Sequence, residues 1–153
     1  MNRNRLSISS GLLSSLLVSV VALGACSMTP MAPATTSMTA RLSGASEVPS
    51  VTSAGVGTAD VTLNPSGNLL TWTVTYSGLT GPVTGGHLHG PALAGQNAGV
   101  VVPFAAGLVS PITGSATLTP AQVADLRAGK WYVNLHTAAN PGGEIRGQVT
   151  ISP

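Results

Sequence analysis

The sequence predicts an all-β fold, a small antiparallel β-sandwich carrying one short helix, and three observations support this. Apolar and polar residues alternate with period two, most clearly in Leu70-Thr71-Trp72-Thr73-Val74-Thr75-Tyr76, where the apolar side chains share one face and the threonines the other. Glycine is abundant at 19 residues while charged residues make up only 7 % of the chain, a balance that favours short strands joined by tight turns. The stretch from Ala40 to Pro153 has the size of one small sandwich and is too short for two domains.

Arg3 and Arg5 precede an apolar run from Gly11 to Leu23 that Gly24 and Ala25 close, the pattern of a targeting segment. The run falls short of the ~20 residues that span a bilayer, so a cleaved signal over residues 1–25 is expected. Cys26 follows at once and is the sole cysteine, which excludes a disulfide within the chain. Leu23-Gly24-Ala25-Cys26 resembles the lipobox of bacterial lipoproteins, which implies diacylation of Cys26 and an exported chain anchored to a membrane through it. Ser27 would permit outer-membrane sorting in a cell that has an outer membrane. The other reading is an ordinary signal cut near Ala25 that leaves a free thiol. Residues 26–39, uncharged and rich in Ser, Thr, Pro, Ala and Met, read as a flexible tether, and the domain is expected to span 40–153.

Within the domain, strands are expected at Thr39 to Leu42, Val56 to Leu63 and Leu70 to Tyr76, the last two forming a hairpin through Asn64-Pro65-Ser66-Gly67-Asn68. Val83 to His89, Gly99 to Val102 and Gly114 to Leu118 follow. Thr119-Pro120-Ala121-Gln122 then supplies an N-cap threonine, a proline at the first helical position and a glutamine at the third, predicting a helix that Gly129 ends. Trp131 to His136 and Glu144 to Ile151 complete the series. Trp131, Val133 and Leu135 share one parity, as do Ile145, Val149 and Ile151, and both sets should face the core together with Trp72. A turn over Ala138 to Gly142 would set Asn134 opposite Arg146 and His136 opposite Glu144, placing Asn134, His136, Glu144, Arg146 and Gln148 in one polar stripe on the other face.

All three histidines fall in two motifs, Gly86-His87-Leu88-His89-Gly90 and Asn134-Leu135-His136-Thr137. With Leu88 turned to the core, His87 and His89 project together from the polar face, with Tyr132 and His136 on the same parity in a second strand. Three neutral imidazoles suit copper or zinc, with Glu144 as a fourth ligand or as an acceptor orienting an imidazole. The competing reading has the histidines capping strand ends by hydrogen bonds to loop backbone while Glu144 and Arg146 form a surface ion pair.

Leu42-Ser43-Gly44-Ala45-Ser46-Glu47-Val48-Pro49, the His-x-His-Gly motif, Trp131-Tyr132-Val133-Asn134-Leu135-His136-Thr137 and Gly143-Glu144-Ile145-Arg146-Gly147-Gln148 resemble a CHRD domain, the module named for its repeats in chordin. The resemblance runs over residues 40 to 151, and Ser50, where the family commonly carries a second proline, touches only a loop. It implies an immunoglobulin-like or Greek-key antiparallel β-sandwich, found in bacteria as a single exported domain. A binding or structural module of the cell envelope, acting on an unidentified envelope or extracellular protein or ligand, is the function this supports. The alternative is a small mononuclear copper-dependent redox enzyme using the same histidines, similar in part to superoxide dismutase; three histidines are too few for the dinuclear form.

Charge excludes one large class of partner. Setting aside Arg3 and Arg5 leaves Arg41, Arg127, Lys130 and Arg146 against Glu47, Asp60, Asp125 and Glu144, so no basic patch exists for nucleic acid. No catalytic nucleophile is indicated either, since no serine sits beside a His-Asp pair and Cys26 is assigned to lipid.

Overall fold

A computed structural model describes residues 34–152 except Gly67 and Ala106. The signal segment, Cys26 and most of the tether lie outside the described residues. Among those described, no helix is long and apolar enough to cross a membrane.

Nine strands and one helix follow the expected order: β1 (Thr36–Ser43), β2 (Val56–Asn64), β3 (Leu69–Ser77), β4 (Val83–His89), β5 (Val100–Pro103), β6 (Ile112–Thr117), α1 (Pro120–Arg127), β7 (Tyr132–Thr137), β8 (Ile145–Gln148) and β9 (Thr150–Ile151). A 3₁₀ turn at Gly44–Ser46 follows β1. The domain therefore starts earlier than Ala40, because residues 36–39 of the expected tether are already paired to β2. Met38 explains this: it is buried with Ala40 and Leu42 on one face of β1, and the small polar residues around it obscured the alternation.

The all-β class holds, but the expected immunoglobulin-like or Greek-key division into two facing sheets is not what the pairing draws. The strands form one antiparallel sheet in the order β5-β4-β7-β8-β1-β2-β3-β6, with β9 on β1, and the sheet curls until it is nearly closed into a barrel. Its two end regions meet through side chains. The indole of Trp72 on β3 stacks on Phe104, just past β5, with ring centroids 5.1 Å apart. Gly114 on β6 and Gly86 on β4 make this possible, since a Cβ at either would run into Trp72 or Phe104 respectively.

Period-two alternation fills the interior as predicted. Ala59, Val61 and Leu63 from β2, Leu70 and Val74 from β3, Leu88 from β4, Val133 and Leu135 from β7, and Ile145 from β8 are sealed from solvent. Trp131 and Val149 flank these strands and join the same core. Ile151 departs from expectation and is exposed, because the chain breaks its ladder at Val149 and Thr150–Ile151 pairs instead with Met38 and Thr39. The helix has the capping box its sequence spelled: Thr119 accepts from the Gln122 N–H, and the Gln122 side chain accepts from the Thr119 N–H. Leu126 anchors it in the core, and Gly129 at φ +69° ends it.

The expected register between β7 and β8 is present, with Asn134 opposite Arg146 and Leu135 opposite Ile145. The polar stripe it creates is not open to water, however. The segments 44–51 and 90–99 lie over it, and Asn134, Glu144 and Arg146 are buried.

Candidate metal centre and the covered polar face

β4 and β7 pair antiparallel, with His87 opposite Asn134, His89 opposite Tyr132 and Gly85 opposite His136. The pleat sends His87, His89 and His136 to one face, as their spacing required. His87 Nδ1 lies 3.1 Å from His136 Nε2. One ring nitrogen from each of the three residues falls within 4.8 Å of the others.

Backbone carbonyls set the protonation of two of these rings. His136 Nδ1 is 3.0 Å from the Pro141 carbonyl and His89 Nδ1 is 3.0 Å from the Ala98 carbonyl. A carbonyl only accepts, so in both rings Nδ1 carries the hydrogen and Nε2 is left with its lone pair. The Nε2 of His136 can then accept from His87. The Nε2 of His89 is sealed from solvent and has no partner. An imidazole held through Nδ1–H by a backbone carbonyl keeps its Nε2 lone pair available to a ligand.

Electrostatics keep His87 and His89 neutral. Burial lowers the pKa of His87, and the neighbouring His136 and His89 add to the effect. Burial also lowers His89; the Ala98 hydrogen bond opposes this, while His136 and Arg146 push further down. Both rings therefore stay unprotonated near neutral pH, the state that ligates metal.

His89 is held further by Tyr132. The two rings stack at 4.9 Å, 4° from parallel, and the Arg146 guanidinium lies 4.7 Å from the same tyrosine ring. The Tyr132 hydroxyl accepts from the Ala98 N–H at 3.1 Å and donates to the Ala98 carbonyl at 3.3 Å. Ala98 thus ties the 90–99 segment to both rings.

Glu144 is not brought into the histidine cluster. Its carboxylate accepts from Ser53 Oγ at 2.7 Å and the Thr80 N–H at 2.9 Å on one oxygen, and from the Thr80 and Thr137 hydroxyls, each at 2.6 Å, on the other. Burial alone would raise its pKa, but these four donors outweigh burial and hold it down to about 2. Glu144 is a clamp between the 53–55 and 78–82 segments and β7. Nor does it pair with Arg146, whose Nε donates to the Ser46 carbonyl and whose Nη1 donates to the Gln96 carbonyl and, at 2.8 Å, to Asn97 Oδ1. Gln148 donates to the Ala92 and Gly129 carbonyls, so the expected polar face serves to tie down loops.

Glu47, in the Glu47-Val48-Pro49 run, is a buried acid that no local sequence pattern marks. It is 7 % exposed, and burial pushes its pKa up to about 7 against the lowering effects of Arg146 and Asn134. Glu47 Oε1 and Asn134 Oδ1 are both sealed from solvent, and the Asn134 side chain is the hydrogen-bonding neighbour of Glu47. Gly143, at φ +131°, passes so close that a Cβ there would come within 2.8 Å of Glu47 Oε1 and 2.7 Å of the Asn134 amide. Only the rarity of acids in this chain could have flagged Glu47 beforehand.

Against this geometry, the profile of the CHRD domain family matches residues 38–149. No curated protein and no solved structure matches the chain.

Proposed function

The chain belongs to the CHRD domain family, and on that premise we propose that it is a lipid-anchored binding module of a bacterial cell envelope whose three histidines hold one transition-metal ion. The observation that carries the metal reading is the meeting of three imidazoles, one ring nitrogen of each within 4.8 Å of the others, in which His89 Nε2 is a buried lone pair with no partner. Tetrahedral coordination at about 2.0–2.1 Å places ligand nitrogens roughly 3.3 Å apart. The His87–His136 pair at 3.1 Å already meets that spacing, and the widest pair, at no more than 4.8 Å, needs to close by about 1.5 Å.

Neutral imidazoles favour Cu(II) or Zn(II) over harder cations. Three protein ligands leave a coordination position for a donor from elsewhere, which is how a bound ion would serve a binding module: a side chain or small ligand of the partner completes the shell. The membrane half of the proposal rests on the lipobox-like Leu23-Gly24-Ala25-Cys26, and residues 27–35 would space the domain from the bilayer.

Two measurements test these parts separately. The full chain, purified in detergent without a histidine tag, should bind one Cu(II) or Zn(II), and His136→Ala should abolish that binding. Absence of binding at micromolar metal overturns the metal reading. Mass spectrometry of the mature chain should find Cys26 first and acylated; an unmodified thiol there removes the anchor.

A further inference from the structure

The curled sheet ends on two edge strands, β5 and β6, and the chain treats them differently. β5 is four residues long, its pairing to β4 shifts register between Leu88 and His89, and it closes on Pro103, which has no N–H to offer. Shortness, irregular pairing and proline are devices that keep an edge from recruiting another strand. β6 has none of them: it pairs with β3 in unbroken register over all six residues and carries neither charge nor proline.

The ladder fixes which backbone groups of β6 are left over. The Leu118 N–H donates to the Asn68 carbonyl, one step beyond the Leu69–Thr117 pair, so the even-numbered residues are the ones bonded to β3. Thr113, Ser115 and Thr117 therefore turn N–H and C=O away from β3, toward the open edge. All three are exposed, and among the described residues no turn, loop or second strand bonds to their backbone.

We propose that β6 is a homodimerisation edge, pairing antiparallel with β6 of a second copy about a two-fold axis at Ser115. In that register Ser115 faces Ser115 of the second copy and Thr113 faces Thr117, and these positions exchange roughly six N–H···O=C bonds. Between them Gly114 faces Ala116, two small residues that leave the approach clear. Thr-Gly-Ser-Ala-Thr is thus complementary to itself read in reverse, with threonine opposite threonine, a pair that stabilises sheets. Charge does not oppose the pairing, because β6 has none and residues 40–153 carry balanced acidic and basic side chains. A six-residue strand is only about 20 Å long, so the contact lies at the small end of specific interfaces and the dimer should be weak, populated above roughly 100 µM. The edge uses neither the histidines nor Cys26 and stands apart from both parts of the proposed function.

The test is sedimentation velocity of the full chain in density-matched detergent, with EDTA to remove any metal bridge, from about 5 to about 500 µM. The sedimentation coefficient should rise with concentration from monomer to dimer and stop there. Ser115→Lys sets like charges opposite each other at the axis, and Ser115→Pro removes an N–H that β3 does not use. Each should raise the dimer Kd at least about tenfold while keeping the circular dichroism of the monomer. Thr58→Lys, also at an exposed position but on β2 away from the edge, should dimerise as the parent does. A parent that stays monomeric throughout, assembly that grows past the dimer, a folded Ser115→Lys that still dimerises, or loss of the dimer in Thr58→Lys would each overturn the proposal.

Discussion

Around Glu144 both carboxylate oxygens are taken by four donors from Ser53, Thr80 and Thr137, whereas at His89 a ring nitrogen is sealed from solvent with no hydrogen-bond partner. Glu144, just before β8, and His89 at the end of β4 are both buried, so burial alone does not distinguish them. The difference lies in completeness. A buried polar group whose valences are filled by the chain is part of the scaffold, while one left unfilled leaves a place for something the chain does not supply. Trp72 Nε1 is another unpartnered buried atom among the described residues, in an indole stacked on Phe104 and packed against Gly114.

The largest effect should therefore come from breaking the complete region. Glu144→Ala strands the Thr80 N–H and three hydroxyls, and a cost of about 3 kcal/mol is expected. For a domain of this size that lowers Tm by roughly 10 °C, measurable by calorimetry. Metal affinity of the folded variant should change little. A variant as stable as the parent would show that the clamp is not what holds the 53–55 and 78–82 segments.

How much of this was legible beforehand follows the same division. Regular alternation announced the core strands, and the Thr-Pro-x-Gln run announced α1 and its caps, because each depends on residues a few positions apart. The histidine cluster was legible for the same reason: parity fixes the face, and only the adjacency of β4 and β7 had to be supplied by the fold. Glu144 was misplaced because its partners, Ser53 and Thr80, lie far away in sequence and outside any strand. The carbonyls of Ala98 and Pro141, which set the histidine tautomers, were invisible since backbone acceptors leave no mark in a sequence. The single curled sheet also depends on long-range closure, through Trp72 and Phe104, that local pattern does not encode.

Filling the incomplete region should stabilise the protein. At a concentration one hundred times its Kd, Zn(II) binding to the folded state contributes about 2.7 kcal/mol. Tm should rise by several degrees on adding Zn(II), and His89→Ala should abolish that rise. A rise that persists in His89→Ala would place the ion elsewhere.

The two glutamates give the comparison a pH signature of opposite sign. Glu144, lowered from 4.5 to about 2, stabilises the fold above pH 4.5, and that contribution is lost as pH falls toward 2. Glu47, raised from 4.5 to about 7, does the reverse: folding favours its protonated form, so its contribution is present below pH 4.5 and is lost as pH rises through 7. The Glu47 contribution should therefore decline between pH 5 and 8 by on the order of 2 kcal/mol, read by urea unfolding as the difference from Glu47→Gln, because the lowered pKa values of His87 and His89 act in the opposite sense in both proteins. Glu47→Gln should lack that decline while leaving the acid limb unchanged. Equal pH profiles in the two proteins would overturn the assignment.

The smallest effect should come from His87→Ala measured without metal. His87 is partly exposed, and the hydrogen bond it makes is to His136, a residue that keeps its bond to the Pro141 carbonyl when His87 is removed. Loss of one partly exposed hydrogen bond costs about 0.5–1 kcal/mol. The same substitution should remove a ligand from the metal cluster and weaken Zn(II) or Cu(II) binding by orders of magnitude. This pairing of negligible structural cost with a large binding cost is what separates a ligand from a clamp. If His87→Ala instead destabilised the metal-free domain as much as Glu144→Ala, the histidines would belong to the scaffold, serving as strand-end caps that hold loops in place.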